Sequence, residues 1–301
     1  MNILITGATG YLGYELAKKL TALKHSLTYI SRNKEKAKNK LNLKGSYFSW
    51  NYKTEDFPLE ALKNIEAVFH LMGENIGSGR WSKKRKDEIY NSRVLSTQKL
   101  VSALPKSVKH FFCASAIGYY PDSLEKKYTE KFILESPHSF LEKTAYNWEK
   151  ESQKAGTPTR RVVNIRTGII LGKEGILKKL IPVFKLGLGG ALGSGKAFMS
   201  FIHVDDWTDA AEFCLHNKKI KGPVNFVLPL PVTNNEFSKL LGNTLSRPSF
   251  IKTPAFALKI ILGEASQLAL GSQYVIPDIL IKNQYNYKFD SLKKALQSII
   301  K

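Results

Sequence analysis

The sequence predicts an α/β protein built on a doubly wound, parallel sheet, and three observations carry that expectation. The chain opens with an apolar run, Ile3-Leu4-Ile5-Thr6, that passes directly into Gly7-Ala8-Thr9-Gly10-Tyr11-Leu12-Gly13. Short apolar stretches recur near 26–30, 46–50, 67–71, 110–114, 161–165 and 224–228, with helical patterns between them. Such alternation is the mark of strands joined by crossover helices. From Pro229 onward the strand pattern gives way to helical segments punctuated by Pro248, Pro254 and Pro277, a small mainly helical region.

The first strand is β-branched and leucine-rich throughout, as expected for a strand covered on both faces. Leu12, Leu16, Leu20 and Leu23 give the next segment the apolar stripe of a helix. Glycines between the two let the backbone turn sharply and approach a pyrophosphate, whose charge is held by amide N–H groups and the positive end of the helix. An ordinary strand-to-helix turn also uses glycine, but the strand ahead and the helix behind favour a dinucleotide. Gly7, Thr9, Gly10, Tyr11, Leu12 and Gly13 are therefore candidate cofactor-binding residues. The G-x-x-G-x-x-G spacing resembles the extended short-chain dehydrogenase/reductases, Rossmann-fold enzymes acting on sugar nucleotides and related carbonyl or alcohol substrates.

The second strand ends at Ser31-Arg32-Asn33, where an NAD-specific protein of this architecture carries an acid for the adenine ribose. A guanidinium with no acid beside it suits a 2′-phosphate, so Ser31 and Arg32 point to NADP(H); the alternative is that Arg32 lies on the adenine or in solvent. A third strand ends at Asn51, and the fourth leads into His70-Leu71-Met72-Gly73-Glu74-Asn75-Ile76 and Gly79-Arg80-Trp81. Ligands of open α/β sheets bind beyond the carboxyl ends of strands, which makes Leu71, Met72, Gly73, Glu74 and Arg80 further cofactor-side candidates. Glu74 and Arg80 would otherwise pair with each other and fix the loop. One long helix, capped by Ser82, is expected from about Lys83 to Leu104; its Lys83-Lys84-Arg85-Lys86 start is either a solvated face or a lure for an anionic substrate. The fifth strand leads to Ser115-Ala116-Ile117-Gly118-Tyr119-Tyr120.

Further stretches resemble one subgroup, the sugar-nucleotide epimerase-like proteins with a C-terminal domain of unknown function. They are Gly73-Glu74-Asn75-Ile76, Gly79-Arg80-Trp81, Gly118-Tyr119-Tyr120, Arg166-Thr167-Gly168, Leu186-Gly187-Leu188-Gly189-Gly190, Gly193-Ser194-Gly195, Phe201-Ile202-His203-Val204-Asp205-Asp206 and Thr233-Asn234 with Glu236-Phe237. The resemblance implies that Ser115 hydrogen-bonds the reacting oxygen of a substrate and that Arg166 lies on the cofactor side. It also implies a tyrosine and a lysine four residues later on one helix, the lysine lowering the phenol's pKa. Tyr146 and Lys150 match literally, but only 166 − 150 = 16 residues separate Lys150 from Arg166, too few for the remaining helix, turn and strand. Counting by family spacing from Arg166 and Glu149 places the pair on Leu141 and Ala145, which have no acid–base chemistry. Arg93 falls where relatives keep a water-holding asparagine. Three readings stay open: another acid, with Tyr119, Tyr120 or Glu74 nearest and Tyr120 the candidate; a catalytically silent NADP(H)-binding regulator or interaction protein; or Tyr146 with Lys150 as the working pair.

The glycine-rich run 186–195 lacks the Gly-Lys-Ser/Thr of a P-loop and reads as a loop closing over substrate. His203, Asp205 and Asp206 lack a second ligand cluster, so no metal is expected and a capping role is assigned to one of the aspartates. Thr233 with Glu236 forms a capping box, Asp290 is placed as the cap of the final helix, and Phe256, Ile260, Ile261 and Leu262 are expected to pack on the main domain. The expected division is 1–230 with a substrate-side insertion at 172–203, followed by 231–301. The 301 residues are 43% hydrophobic, with 46 Lys and Arg against 25 Asp and Glu, a formal charge of +21. The lysines are scattered without interleaved aromatics, so a small anionic substrate is favoured over nucleic acid. With only Cys113 and Cys214, a first strand starting at residue 2 and no long apolar stretch free of charge, the expectation is a cytoplasmic protein with no disulfide or membrane partner, monomeric or homodimeric.

Overall fold

The computed structural model of the chain describes residues 1–300. The first half runs β1 (Asn2–Thr6), α1 (Tyr11–Ala22), β2 (Ser26–Ser31), α2 (Lys34–Leu41), β3 (Ser46–Ser49), β4 (Ala67–His70), α3 (Lys83–Asn91), α4 (Val94–Ala103) and β5 (His110–Ala116). It continues with β6 (Lys127–Tyr128), α5 (Phe140–Gln153), β7 (Arg161–Thr167), β8 (Ile169–Leu171), α6 (Ile176–Lys185), β9 (Phe198–Met199), β10 (Phe201–His203), α7 (Val204–His216) and β11 (Gly222–Phe226). The C-terminal region adds β12 (Val232–Thr233), α8 (Asn234–Thr244), α9 (Ala255–Leu262), α10 (Gln267–Leu270), β13 (Tyr274–Val275), α11 (Asp278–Lys282) and α12 (Leu292–Ile300).

Seven strands form one sheet in the order β11-β7-β5-β4-β1-β2-β3, every neighbouring pair parallel. The chain reverses direction across the sheet at β1, and the crevice beside that strand is where open α/β sheets take ligands. Alternation along the strands feeds two cores. Ile3, Ile5 and Phe69 pack with Leu16, Leu20 and Trp207 on the α1–α7 side. Leu4, Val68, Phe111 and Cys113 pack with Leu100 and Trp148 on the α4–α5 side. Burial on both faces explains why these strands read as unbroken apolar runs. This is the predicted doubly wound α/β fold.

The sequence reading of the elements needs correction at four places. The helix expected over 83–104 is two helices, because Ser92 Oγ donates to the Ile89 carbonyl and accepts the Glu74 N–H (3.0 and 2.9 Å). A serine bonded to nearby backbone competes with helix continuation. At the start of α7 the cap is His203, whose Nδ1 accepts the Asp205 N–H (3.1 Å), and not an aspartate. Asp206 instead accepts the backbone N–H groups of Lys288 and Phe289 (2.7 and 3.0 Å), tying the C-terminal region to α7. Asp290 lies two residues ahead of α12 and pairs with Lys294 (2.8 Å). Of the four apolar residues expected to pack inward from α9, only Leu262 does so; Phe256, Ile260 and Ile261 are 68%, 68% and 65% exposed. The Thr233–Glu236 capping box forms as expected, and no helix among the described residues is long and apolar enough to cross a membrane.

Candidate functional site

The turn between β1 and α1 brings the chain against the segment that follows β4. Gly7 has φ +74°, and a Cβ there would lie 2.8 Å from the Leu71 carbonyl carbon and the Met72 nitrogen. Only glycine fits that crossing. Thr6 anchors the same junction from inside: its Oγ1 accepts the N–H groups of Leu71 and Met72 (3.2 and 3.3 Å) and bonds His70 Nδ1 at 2.8 Å. His70 is fully buried, and desolvation pushes it down to about 3, so it is a neutral structural ring. A Cβ at Gly13 would strike the Gly7 carbonyl, so the third glycine serves helix–strand packing. The amino end of α1 has Gly10 as its cap, no side chain bonded there and no acid in its first turn. That leaves a helix terminus suited to an anion.

A cleft of about 430 Å³ lies over this turn. Of the residues expected to hold a nucleotide, Gly7, Thr9, Gly10, Ser31, Arg32, Leu71, Met72, Gly73 and Glu74 line it. Tyr11, Leu12 and Gly13 do not: Leu12 packs into the core, and the Tyr11 hydroxyl abuts Gly172 at the start of the segment carrying α6. Arg80 also lies elsewhere, its NH2 donating to the Ile260 carbonyl at 3.1 Å. Glu74 does not pair with Arg80; its carboxylate lies 3.4 Å from Arg32 and 3.5 Å from Arg85.

The cleft adds residues that the linear reading passed over. Lys36 and Lys40 stand one turn apart on α2, and both line it; Lys40 Nζ also donates to the Thr9 carbonyl (2.8 Å). Their i, i+4 spacing beside the buried Ala37 and Leu41 was the available signal, obscured by a surplus of lysines in the same stretch. Asn33 caps α2 by accepting the Lys36 N–H (2.9 Å), which fixes that helix end beside Arg32. Trp50 and Tyr52, just beyond β3, complete one wall.

Deeper along β5 the expected catalytic residues enter a different arrangement. Ser115 lies within the strand, in register with Arg166 on β7. Its Oγ donates to Glu149 Oε1 at 2.6 Å. Arg166 grips both oxygens of that carboxylate at 2.8 Å, with the two side chains only 2% and 9% exposed. The guanidinium also donates to Tyr120 Oη (2.9 Å), which in turn donates to Asn225 Oδ1 (2.7 Å). Tyr120 is 1% exposed, and burial drives its phenol well above the ordinary tyrosine range. Arg166 and Tyr120 are thus core partners of one another, outside the cleft lining. Tyr119 is likewise committed, its hydroxyl accepting the Leu134 N–H (3.1 Å).

The bidentate Glu149–Arg166 pair sets the register of α5. Lys150 is exposed and Tyr146 packs against the aromatic cluster of Tyr119, Tyr120 and Tyr128. Leu141 faces Gly118 at the end of β5, and Ala145 is buried one turn further on. Arg93, at the break between α3 and α4, reaches under the strand-end loop: it donates to the Ile89 and Glu74 carbonyls (both 3.0 Å), lies against Gly73 and stacks 5.2 Å over Trp148. Burial pulls its pKa down to about 10 without removing the charge at neutral pH.

Residues 3–227 match the model of the NAD dependent epimerase/dehydratase family, and residues 253–299 match a domain of unknown function, DUF1731. The chain belongs to the NAD dependent epimerase/dehydratase family. Among members of this epimerase family it is 35% identical to the epimerase family protein YfhF of Bacillus subtilis, over 100% of this chain and 98% of that one. A Mycobacterium leprae epimerase family protein, ML0860, is 32% identical over 98% of this chain and 94% of its own length. The structure of human epimerase family protein SDR39U1 (isoform2) with NADPH superposes with a TM-score of 0.86 at 30% identity, covering 100% of this chain and 99% of that one.

Proposed function

We propose that this epimerase-family chain binds NADP(H) in the cleft over the Gly7–Gly13 turn and acts as an oxidoreductase or epimerase on a small, anionic, hydroxyl-bearing substrate. The observation that carries the cofactor choice is the cationic set Arg32, Lys36 and Lys40 at the end of the cleft bounded by Ser31 and Asn33, with no acid at the tip of β2. A 2′-phosphate matches that charge, of which the Glu74 carboxylate 3.4 Å from Arg32 answers only a part, whereas the 2′-hydroxyl of NAD would leave the rest unanswered. The NADPH in the human relative points the same way. Gly7 and Gly10 with the free end of α1 would hold the pyrophosphate, and Leu71, Met72 and Gly73 would flank the nicotinamide half. Bound there, the cofactor supplies hydride transfer to or from a carbon bearing oxygen.

The remaining chemistry belongs to the chain. The Ser115 proton is given to Glu149, so its oxygen offers lone pairs and suits a donor, a substrate hydroxyl in preference to a carbonyl. A proton leaving that hydroxyl passes to Ser115 Oγ as the serine proton moves to the Glu149 carboxylate, and the reverse path returns it. Arg166 orients the carboxylate throughout. The alternative reading, a silent NADP(H)-binding regulator, rests on Leu141 and Ala145 occupying the places of the usual tyrosine and lysine.

Titration of the ligand-free protein tests both levels. NADPH is expected to bind at least about tenfold more tightly than NADH, and Arg32→Ala with Lys36→Ala to abolish the preference. Preference for NADH would overturn the cofactor assignment. On a panel of alcohols and sugar nucleotides with NADP⁺, Ser115→Ala should remove turnover while leaving NADPH affinity intact; absence of turnover by the unmodified chain on every substrate, with tight NADPH binding, would favour the silent reading.

A further inference from the structure

Neither 175–204 nor 237–263 contains an acidic residue. The fold brings them together. Ile251 N–H donates to the Gly189 carbonyl (3.3 Å), Thr253 N–H to that of Ala191 (2.9 Å) and Gly193 N–H to that of Thr253 (2.9 Å). Segment 189–193 is thereby laid along 251–253, and α9 follows at once. From this seam project Leu186, Leu188 and Phe250, which are 74%, 55% and 77% exposed, beside Phe256, Ile260 and Ile261 of α9. Helix α9 buries none of its eight residues. Exposed cations, Lys185, Arg247, Lys252 and Lys259, alternate with these apolar groups, and none of the four forms an ion pair among the described residues.

We propose that this face docks on the surface of an anionic lipid bilayer. Apolar side chains flanked by lysine and arginine, with the acid that follows α9, Glu264, paired to Lys86 at 2.7 Å, match the boundary between acyl chains and negative headgroups. Self-association would instead bring the same lysines of two chains, each at +21, face to face. Because Arg80 bonds the Ile260 carbonyl and Leu262 packs with Trp81, the docking face borders the loop that follows β4. Docking would set that loop against the headgroups. The proposal does not rest on the nucleotide reading.

The test is co-sedimentation of the full chain with vesicles of phosphatidylcholine alone and of phosphatidylcholine containing about one-third phosphatidylglycerol. The chain should pellet with the anionic vesicles only, and less so as salt is raised. Phe256→Ser with Ile260→Ser, and separately Lys252→Glu with Lys259→Glu, should each weaken vesicle binding about tenfold or more while melting temperature stays at the unmodified value. No pelleting with anionic vesicles, equal pelleting of both variants, or a lipid-free dimer that the apolar variant dissociates would overturn the proposal.

Discussion

Two polar assemblies occupy the carboxyl ends of the same parallel sheet, and they are built on opposite terms. The cleft beside β1 exposes its charges: Arg32 is 75% accessible, and Lys36 and Lys40 stand on a helix flank. The cluster at β5 hides its charges: Glu149 and Arg166 are closed inside the core with Tyr120, and only Ser115, 4% exposed, stands between them and the strand end. Exposed cations are lightly engaged with the chain and free to meet a phosphate. Buried ones have exchanged water for one another, so each depends on every partner. On the proposed reading, nucleotide binding at the cleft and fold integrity at the buried pair are separable, and substitutions should tell the two assemblies apart.

The largest effect is expected at Glu149. Replacement by alanine would leave the Arg166 guanidinium buried without its carboxylate, and urea unfolding should show a loss of about 3–5 kcal/mol. A loss under about 1 kcal/mol would mean that water reaches the cluster and that the contrast with the cleft is false. Gly7→Ala comes next. A methyl group forced against the Leu71–Met72 backbone at φ +74° should cost about 2–3 kcal/mol in stability and suppress nucleotide binding together. Arg32→Ala marks the opposite pole: unfolding should move by less than about 0.5 kcal/mol even as NADPH affinity drops.

A further effect concerns pH. Burial raises Asp206 to about 6, above its unfolded value, so the protonated form is favoured in the fold. Its contribution is full below about pH 4 and is lost as pH rises through about 6. The melting temperature of the unmodified chain minus that of Asp206→Asn should therefore be more positive at about pH 4.5 than at about pH 7.5. The reverse order would show that the backbone N–H groups of Lys288 and Phe289 hold the carboxylate ionised.

What was legible in the sequence follows the same division. The turn Gly7 to Gly13, the Ser31-Arg32 tip and the loop 71–74 lie at strand ends, and strand ends can be found from apolar runs alone. Lys36 and Lys40 escaped because a lysine facing a cleft and one facing water look alike in a list. Proximity in sequence to Ser115 makes Tyr120 the candidate acid, yet its orientation depends on Asn225, 105 residues further on. The exposure of α9 was equally hidden, since an apolar helix reads as buried until its surroundings are known.

The sequence by itself determined the parallel sheet, the glycine crossing and the basic strand tip, because each follows from steric or charge properties of neighbouring residues. Tertiary structure alone decided that Glu149, and not a phenol, holds the Ser115 proton, and that α9 keeps its apolar face outside. Those outcomes turn on which distant groups share a desolvated space, and the strength of a buried charge pair is set by that space and not by chain spacing.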